Sequence, residues 1–161
     1  MKHLIGLAMV ACLLGGCAVE VAEVGSKAPD AKLEPLDKMG GSASIRDTKG
    51  VRVIDFWATW CGPCRQSMPF IQKIHDSYAA KGVSVMGISN EARPAVEQFH
   101  KESGYTYPIY LDLYNDANRR YKILAIPTLV VIGKDDVIKF IGSPFDAAQV
   151  TQAIDRAVAE N

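Results

Sequence analysis

Hydrophobic positions switch between two periods along this chain, and the switches mark its elements. Val51-Arg52-Val53-Ile54-Asp55-Phe56-Trp57 is β-branched and aromatic with few polar breaks, which predicts a largely buried strand. From 63 to 78 the period becomes helical and Met68, Ile71, Ile74 and Tyr78 share one face, so they read as core. Pro69 falls inside that helix, where it removes a hydrogen bond and predicts a kink. Strands then follow over 83–89, 107–111, 128–133 and 137–141, with helices over 94–103 and 116–121 and a turn at Lys134-Asp135-Asp136. A last helix carries Val150, Ala153, Ile154, Ala157 and Val158 on one face, and Asp146 with Gln149 has the layout of a capping box at its start. Upstream, the stretches 33–36 and 42–45 flank Gly40-Gly41 and predict an added N-terminal β-hairpin. Alternating strands and helices argue an α/β fold, a central sheet with helices on both faces.

Residues 1–16 are a different kind of segment: Lys2 is the only charge, an apolar run covers 4–14, and Gly15-Gly16-Cys17 follows. The run is shorter than the roughly 20 residues a membrane span needs, and the layout is that of a secretory signal. Leu14-Gly15-Gly16-Cys17 resembles the bacterial lipobox, which implies cleavage before Cys17 and lipidation of that residue. Ordinary signal cleavage, or an uncleaved anchor, is the plainer alternative. Residues 17–29, with Gly25, Ser26 and Pro29, then read as a lipidated N-terminus and tether, and 30–161 as one domain.

With 161 residues, 48% of them hydrophobic, the chain suits a single core. Eighteen basic and eighteen acidic residues are interspersed, so the footprint of a nucleic-acid-binding surface is missing.

The chemistry concentrates in Trp60-Cys61-Gly62-Pro63-Cys64, two thiols three residues apart between the strand and the helix. That is the layout of a dithiol that opens and closes a disulfide. At a helix N-terminus the unpaired N–H groups and the dipole favour a thiolate on Cys61, while Cys64 sits one turn in, shielded. Structural zinc needs four ligands, no second Cys-x-x-Cys exists, and His3, His75 and His100 are scattered, so redox chemistry is favoured and no metal is expected. Pro63 suits the first helical turn, Gly62 allows a partner backbone to approach, and Trp60 shapes the surface around the thiolate, whereas Trp57 reads as core.

Trp-Cys-Gly-Pro-Cys preceded by Asp55-Phe56-Trp57-Ala58 resembles the active site of the thioredoxin superfamily. The N-terminal hairpin, a helix-strand insertion between the active-site helix and Pro127, and the lipobox resemble its TlpA-like, redoxin-type branch of membrane-anchored thiol:disulfide oxidoreductases. The resemblance runs from about residue 25 to 159 and implies a thioredoxin-like fold. Ala125-Ile126-Pro127-Thr128 resembles the cis-proline loop that faces the dithiol, which implies substrate docking along Ile126 and Pro127; the plainer reading is that Pro127 merely starts a strand. Asp55 stands where thioredoxins carry a buried acid, which implies a base that takes the Cys64 proton; alternatively its head group reaches a wet pocket at the strand end.

The activity so implied is reduction of protein disulfides in the cell envelope, facing the periplasm or outer side, with no cofactor beyond the Cys61–Cys64 pair. Its partners would be protein disulfides, a membrane through the lipid anchor and a membrane electron donor; a monomer is expected. The branch serves cytochrome c maturation and antioxidant roles, but Ser67 replaces a Glu common three residues after the second cysteine, and Asp55 an Asn; both point toward a more general thioredoxin. A peroxidase fits less well, because Ala58 stands where the peroxidatic pattern places Thr or Ser. Two readings stay open beside the reductase: an oxidase or isomerase running the exchange backwards, and a Cu(I)-binding module that recruits Met68 and His75.

Overall fold

The computed structural model describes residues 22–160; the signal segment and Cys17 lie outside the described residues. In chain order the elements are β1 (Lys32–Pro35), β2 (Ala43–Ser44), β3 (Val51–Phe56), α1 (Gly62–Tyr78), β4 (Val83–Ser89), α2 (Arg93–Ser103), β5 (Ile109–Leu111), α3 (Asp116–Arg120), β6 (Thr128–Ile132), β7 (Ile138–Gly142) and α4 (Ala147–Ala159). Short 3-10 turns at Ile45–Asp47 and Ala79–Lys81 complete them.

The strands form one mixed sheet in the order β2-β1-β5-β4-β3-β6-β7. β3, β4 and β5 are parallel, while β6 runs antiparallel to β3 and β1 antiparallel to β5. α2 and β5 are the inserted pair, and β5 fills the sheet between β4 and the N-terminal hairpin. The thioredoxin-like α/β architecture predicted above is therefore the one observed.

Alternation along β3 divides the interior in two. Val51, Val53 and Trp57 face a core completed by Met68, Ile71 and Ile74 of α1, Val96 of α2, and Val150, Ile154 and Ala157 of α4. Ile54 and Phe56 face the other core, with Ile45, Met86, Ile88, Ala117 and Tyr121. Arg52 lies on this second side, fully buried, where its guanidinium donates to Ile45 O at 3.2 Å and pairs with Asp136.

Several boundaries differ from expectation for identifiable reasons. The strand predicted over 107–111 starts only at Ile109, because Pro108 has no N–H to give to a ladder; its carbonyl instead accepts from Gly87 N at 2.9 Å. Asp146 makes no side-chain cap to α4, so the capping-box layout is not used. Pro69 is accommodated within an uninterrupted 17-residue α1. The described part of the expected tether is fastened to the domain from Ala22 onward: Ala22 N donates to Arg120 O (3.0 Å), Gly25 N to Ile138 O (2.9 Å) and Ala28 N to Asp136 O (2.7 Å).

Candidate active site

β3 ends at Phe56, and the chain turns through Trp57–Trp60 into α1 at the C-terminal edge of the parallel strands. Cys61 is the N-cap of α1; its sulfur accepts from Cys64 N at 3.1 Å, and Pro63 lies in the first turn. Cys61 and Cys64 are joined in a disulfide. The helix N-terminus that donates this hydrogen bond also stabilises negative charge on Cys61 once the disulfide opens. Cys64 is 1% exposed and Cys61 4%, so a partner meets Cys61 at a small opening rather than on a protruding thiol.

Trp60, next to Cys61 in sequence, is 71% exposed, and Leu124, two residues before Ile126, is 96% exposed. A side chain at Gly62 would meet nothing within 4 Å, so the surface beside Cys61 is open to an approaching chain. The Ile126–Pro127 bond is cis, and the Ile126 carbonyl lies 3.9 Å from Cys61 Sγ. Residues 65 positions apart in sequence thus flank the disulfide.

Asp55 is 1% exposed, on the face of the sheet that carries Val53 and Trp57 and is covered by α1. Burial pushes its carboxyl up to about 7, because a low-dielectric surrounding disfavours the charged form. Neither carboxyl oxygen has a hydrogen-bond partner among the described residues.

Ser67 is buried and gives its hydroxyl to the Cys64 carbonyl at 2.9 Å. Arg65 is exposed. Met68 is 1% exposed and belongs to the core. Among the described residues no three His, Cys, Asp or Glu side chains gather as a metal site.

Glu91 is the residue the sequence pattern did not reveal. Its carboxylate accepts from Thr59 N at 2.6 Å, from Thr59 Oγ1 at 2.8 Å and from Ser89 Oγ at 3.2 Å, tying the end of β4 to the loop before Cys61. No local periodicity marks it; only the pairing of β3 with β4 brings it there.

A redox-active disulfide at the start of a helix, on a thioredoxin-like sheet, places the chain among the thiol-disulfide oxidoreductases. The redoxin family profile matches residues 23–156, and the chain belongs to that family. It is 33% identical over 120 residues to the thiol-disulfide oxidoreductase ResA of Geobacillus kaustophilus, covering 73% of this chain and 68% of that protein. To the thioredoxin-like protein YneN of Bacillus subtilis it is 34% identical over 122 residues, 73% of this chain and 69% of that one. A Chlorobium tepidum crystal structure, described as a thiol:disulfide interchange protein DsbE, superposes with a TM-score of 0.76 at 28% identity, covering 84% of this chain and 98% of that one.

Proposed function

We propose that this oxidoreductase reduces protein disulfides in the cell envelope, held to a membrane by lipid on Cys17. The observation that carries the substrate reading is the Ile126 carbonyl 3.9 Å from Cys61 Sγ, with Trp60, the residue before Cys61, exposed. An extended segment pairing with the backbone at Ile126 delivers its sulfur to Cys61, and the exposed Trp60 indole rewards a polypeptide rather than a small disulfide.

In this reading the Cys61 thiolate attacks a substrate disulfide, forming a mixed disulfide and releasing the substrate's other sulfur as thiolate. Cys64 then gives its proton to Asp55 and attacks Cys61 Sγ; the mixed disulfide breaks, the substrate leaves reduced, and Cys61–Cys64 closes. A carboxyl titrating near 7 suits a base that must be ionised before the step and protonated after it. The electron pair returned to the disulfide comes from a membrane donor. The envelope location is supported by the apolar segment at 4–14 and the lipobox-like Leu14-Gly15-Gly16-Cys17. Among the described residues no helix is long and apolar enough to cross a membrane.

The test is the reduction potential of the domain lacking residues 1–17. A value near thioredoxin's, about −270 mV, supports the reductase, whereas one near −120 mV makes the protein an oxidant that inserts disulfides. Radiolabelled palmitate incorporation that disappears in Cys17→Ser supports the anchor.

A further inference from the structure

Five buried side-chain nitrogen or oxygen atoms lack a hydrogen-bond partner among the described residues: Arg52 Nε, both carboxyl oxygens of Asp55, Trp57 Nε1 and Tyr107 Oη. Four of them belong to three residues on one face of the sheet, and the strand register explains why they meet. Asp55 pairs with Gly87 on β4 and with Leu129 on β6, and Gly87 pairs with Ile109 on β5. In that row Gly87 has no side chain, and its neighbours turn toward the gap. A Cβ there would lie 3.0 Å from Tyr107 Cε2, 3.2 Å from Trp57 Nε1 and 2.6 Å from Ile109 Cδ1. The side chains of Trp57, Tyr107 and Ile109 therefore close over Gly87 in the row that carries Asp55, with the indole Nε1 and a ring-edge carbon of the phenol among the nearest atoms. Burial raises the Tyr107 hydroxyl's pKa above its ordinary value, and the Asp55 charge adds to the rise, so the two groups share a field.

Unpaired buried polar groups are costly, and proteins commonly satisfy them with an ordered water, which needs about two to four polar partners. The three side chains supply a matching set: an N–H that only donates, a carboxylate that only accepts, and a hydroxyl that does either. We propose that the unpartnered polar atoms of Asp55, Trp57 and Tyr107 share one internal water on this face of the sheet, and that Tyr107 acts through it as a positioning residue holding Asp55 in its ionised, proton-accepting form. Trp57 N–H gives to the water, Tyr107 hydrogen-bonds it, and the water gives a hydrogen to the carboxylate. When Cys64 releases its proton, Asp55 takes it; after the mixed disulfide has resolved, the proton leaves Asp55 for solvent. The role of Tyr107 rests on the reading of Asp55 as the base of that step.

The flanking strands offer Gly87 and Leu129, and the segment before β5 offers Tyr107 with Tyr105 packed against it, the two groups besides burial that act on the Tyr107 hydroxyl being Asp55 and Tyr105. Burial is the only cause acting on Asp55.

The experiment follows the Asp55 carboxyl carbon by NMR through a pH titration of the oxidised protein, in which the cysteines do not titrate, for the wild type and Tyr107→Phe. Losing the water's anchor raises the Asp55 midpoint by about half a pH unit or more, roughly threefold in the proton-binding constant. The pH profile of mixed-disulfide resolution in a single turnover shifts by the same amount and in the same direction. An unmoved Asp55 midpoint overturns the proposal. A crystal structure that shows ordered waters elsewhere and none within hydrogen-bond distance of Asp55, Trp57 Nε1 and Tyr107 Oη overturns it independently of any variant. If the midpoint moves while Asp55→Asn resolves as fast as the wild type, the water site stands and the base reading of Asp55 is what fails.

Discussion

Glu91 holds Thr59 by two hydrogen bonds, from the amide at 2.6 Å and from the hydroxyl at 2.8 Å. One carboxylate thereby pins the residue two positions before the attacking sulfur to the end of the neighbouring strand. A loop so held keeps Cys61 at the N-terminus of α1 and opposite Ile126, instead of letting it drift between exchange steps.

Glu91→Ala is expected to leave both Thr59 donors unpaired and to cost about 1–3 kcal/mol in stability, read by urea unfolding of the oxidised protein. Glu91→Gln keeps an acceptor and costs less. Hydrogen exchange at the Thr59 amide should speed up in Glu91→Ala; an unchanged rate would show that the brace contributes nothing to local order.

The buried Asp55 carboxyl costs stability as pH rises. The folded protein holds the Asp55 proton up to a pH of about 7, whereas the unfolded chain releases it near 4, so this group makes stability fall as pH rises between those values. Asp55→Asn should therefore stabilise the fold by up to about 4 kcal/mol at about pH 8 and by only about 1–2 kcal/mol at about pH 5. The same variant should resolve mixed disulfides more slowly. Equal stability gains at the two pH values would refute the raised carboxyl.

The two cysteines should fail differently. Cys64→Ser leaves Cys61 able to attack and unable to be released, so the mixed disulfide with substrate accumulates and is seen by mass spectrometry. Cys61→Ser forms no such adduct at Cys64, which lies 1% exposed. An adduct on Cys64 would reverse the assigned order of attack.

Trp60, next to Cys61, and Leu124, two residues before Ile126, are exposed, and their apolar area is available to a bound polypeptide. Trp60→Ala with Leu124→Ser is expected to lower kcat/KM toward a protein disulfide by about tenfold or more, close to 1.4 kcal/mol, mainly through KM. A change confined to kcat would place these residues in the chemical step instead of in docking.

Much of this was legible in the sequence because its causes are local. Pro63 after Cys61-Gly62 and the apolar stripe behind it specify a helix that begins at the dithiol, since N-terminal proline and helical periodicity act within a few turns. β4 was read at its observed bounds because Val83, Val85, Met86 and Ile88 form an apolar cluster between Gly82 and Asn90. Short-range rules misled where a single residue changes the backbone's hydrogen-bonding capacity, as at Pro108, or where packing replaces a side-chain cap, as at Asp146.

By itself, the sequence determined the redox pair, its place between strand and helix, and the α/β class, since each depends on neighbours along the chain. It also carried the lipobox-like segment at residues 14–17. Only the tertiary structure decided which distant groups meet there: Ile126 at the Cys61 sulfur, Glu91 on Thr59, and Asp55 beside Gly87, Trp57 and Tyr107. The physical reason is that strand pairing sets these encounters. A parallel register shifted by a single residue would turn Asp55 or its neighbours to the opposite face, and no local periodicity records which register is chosen.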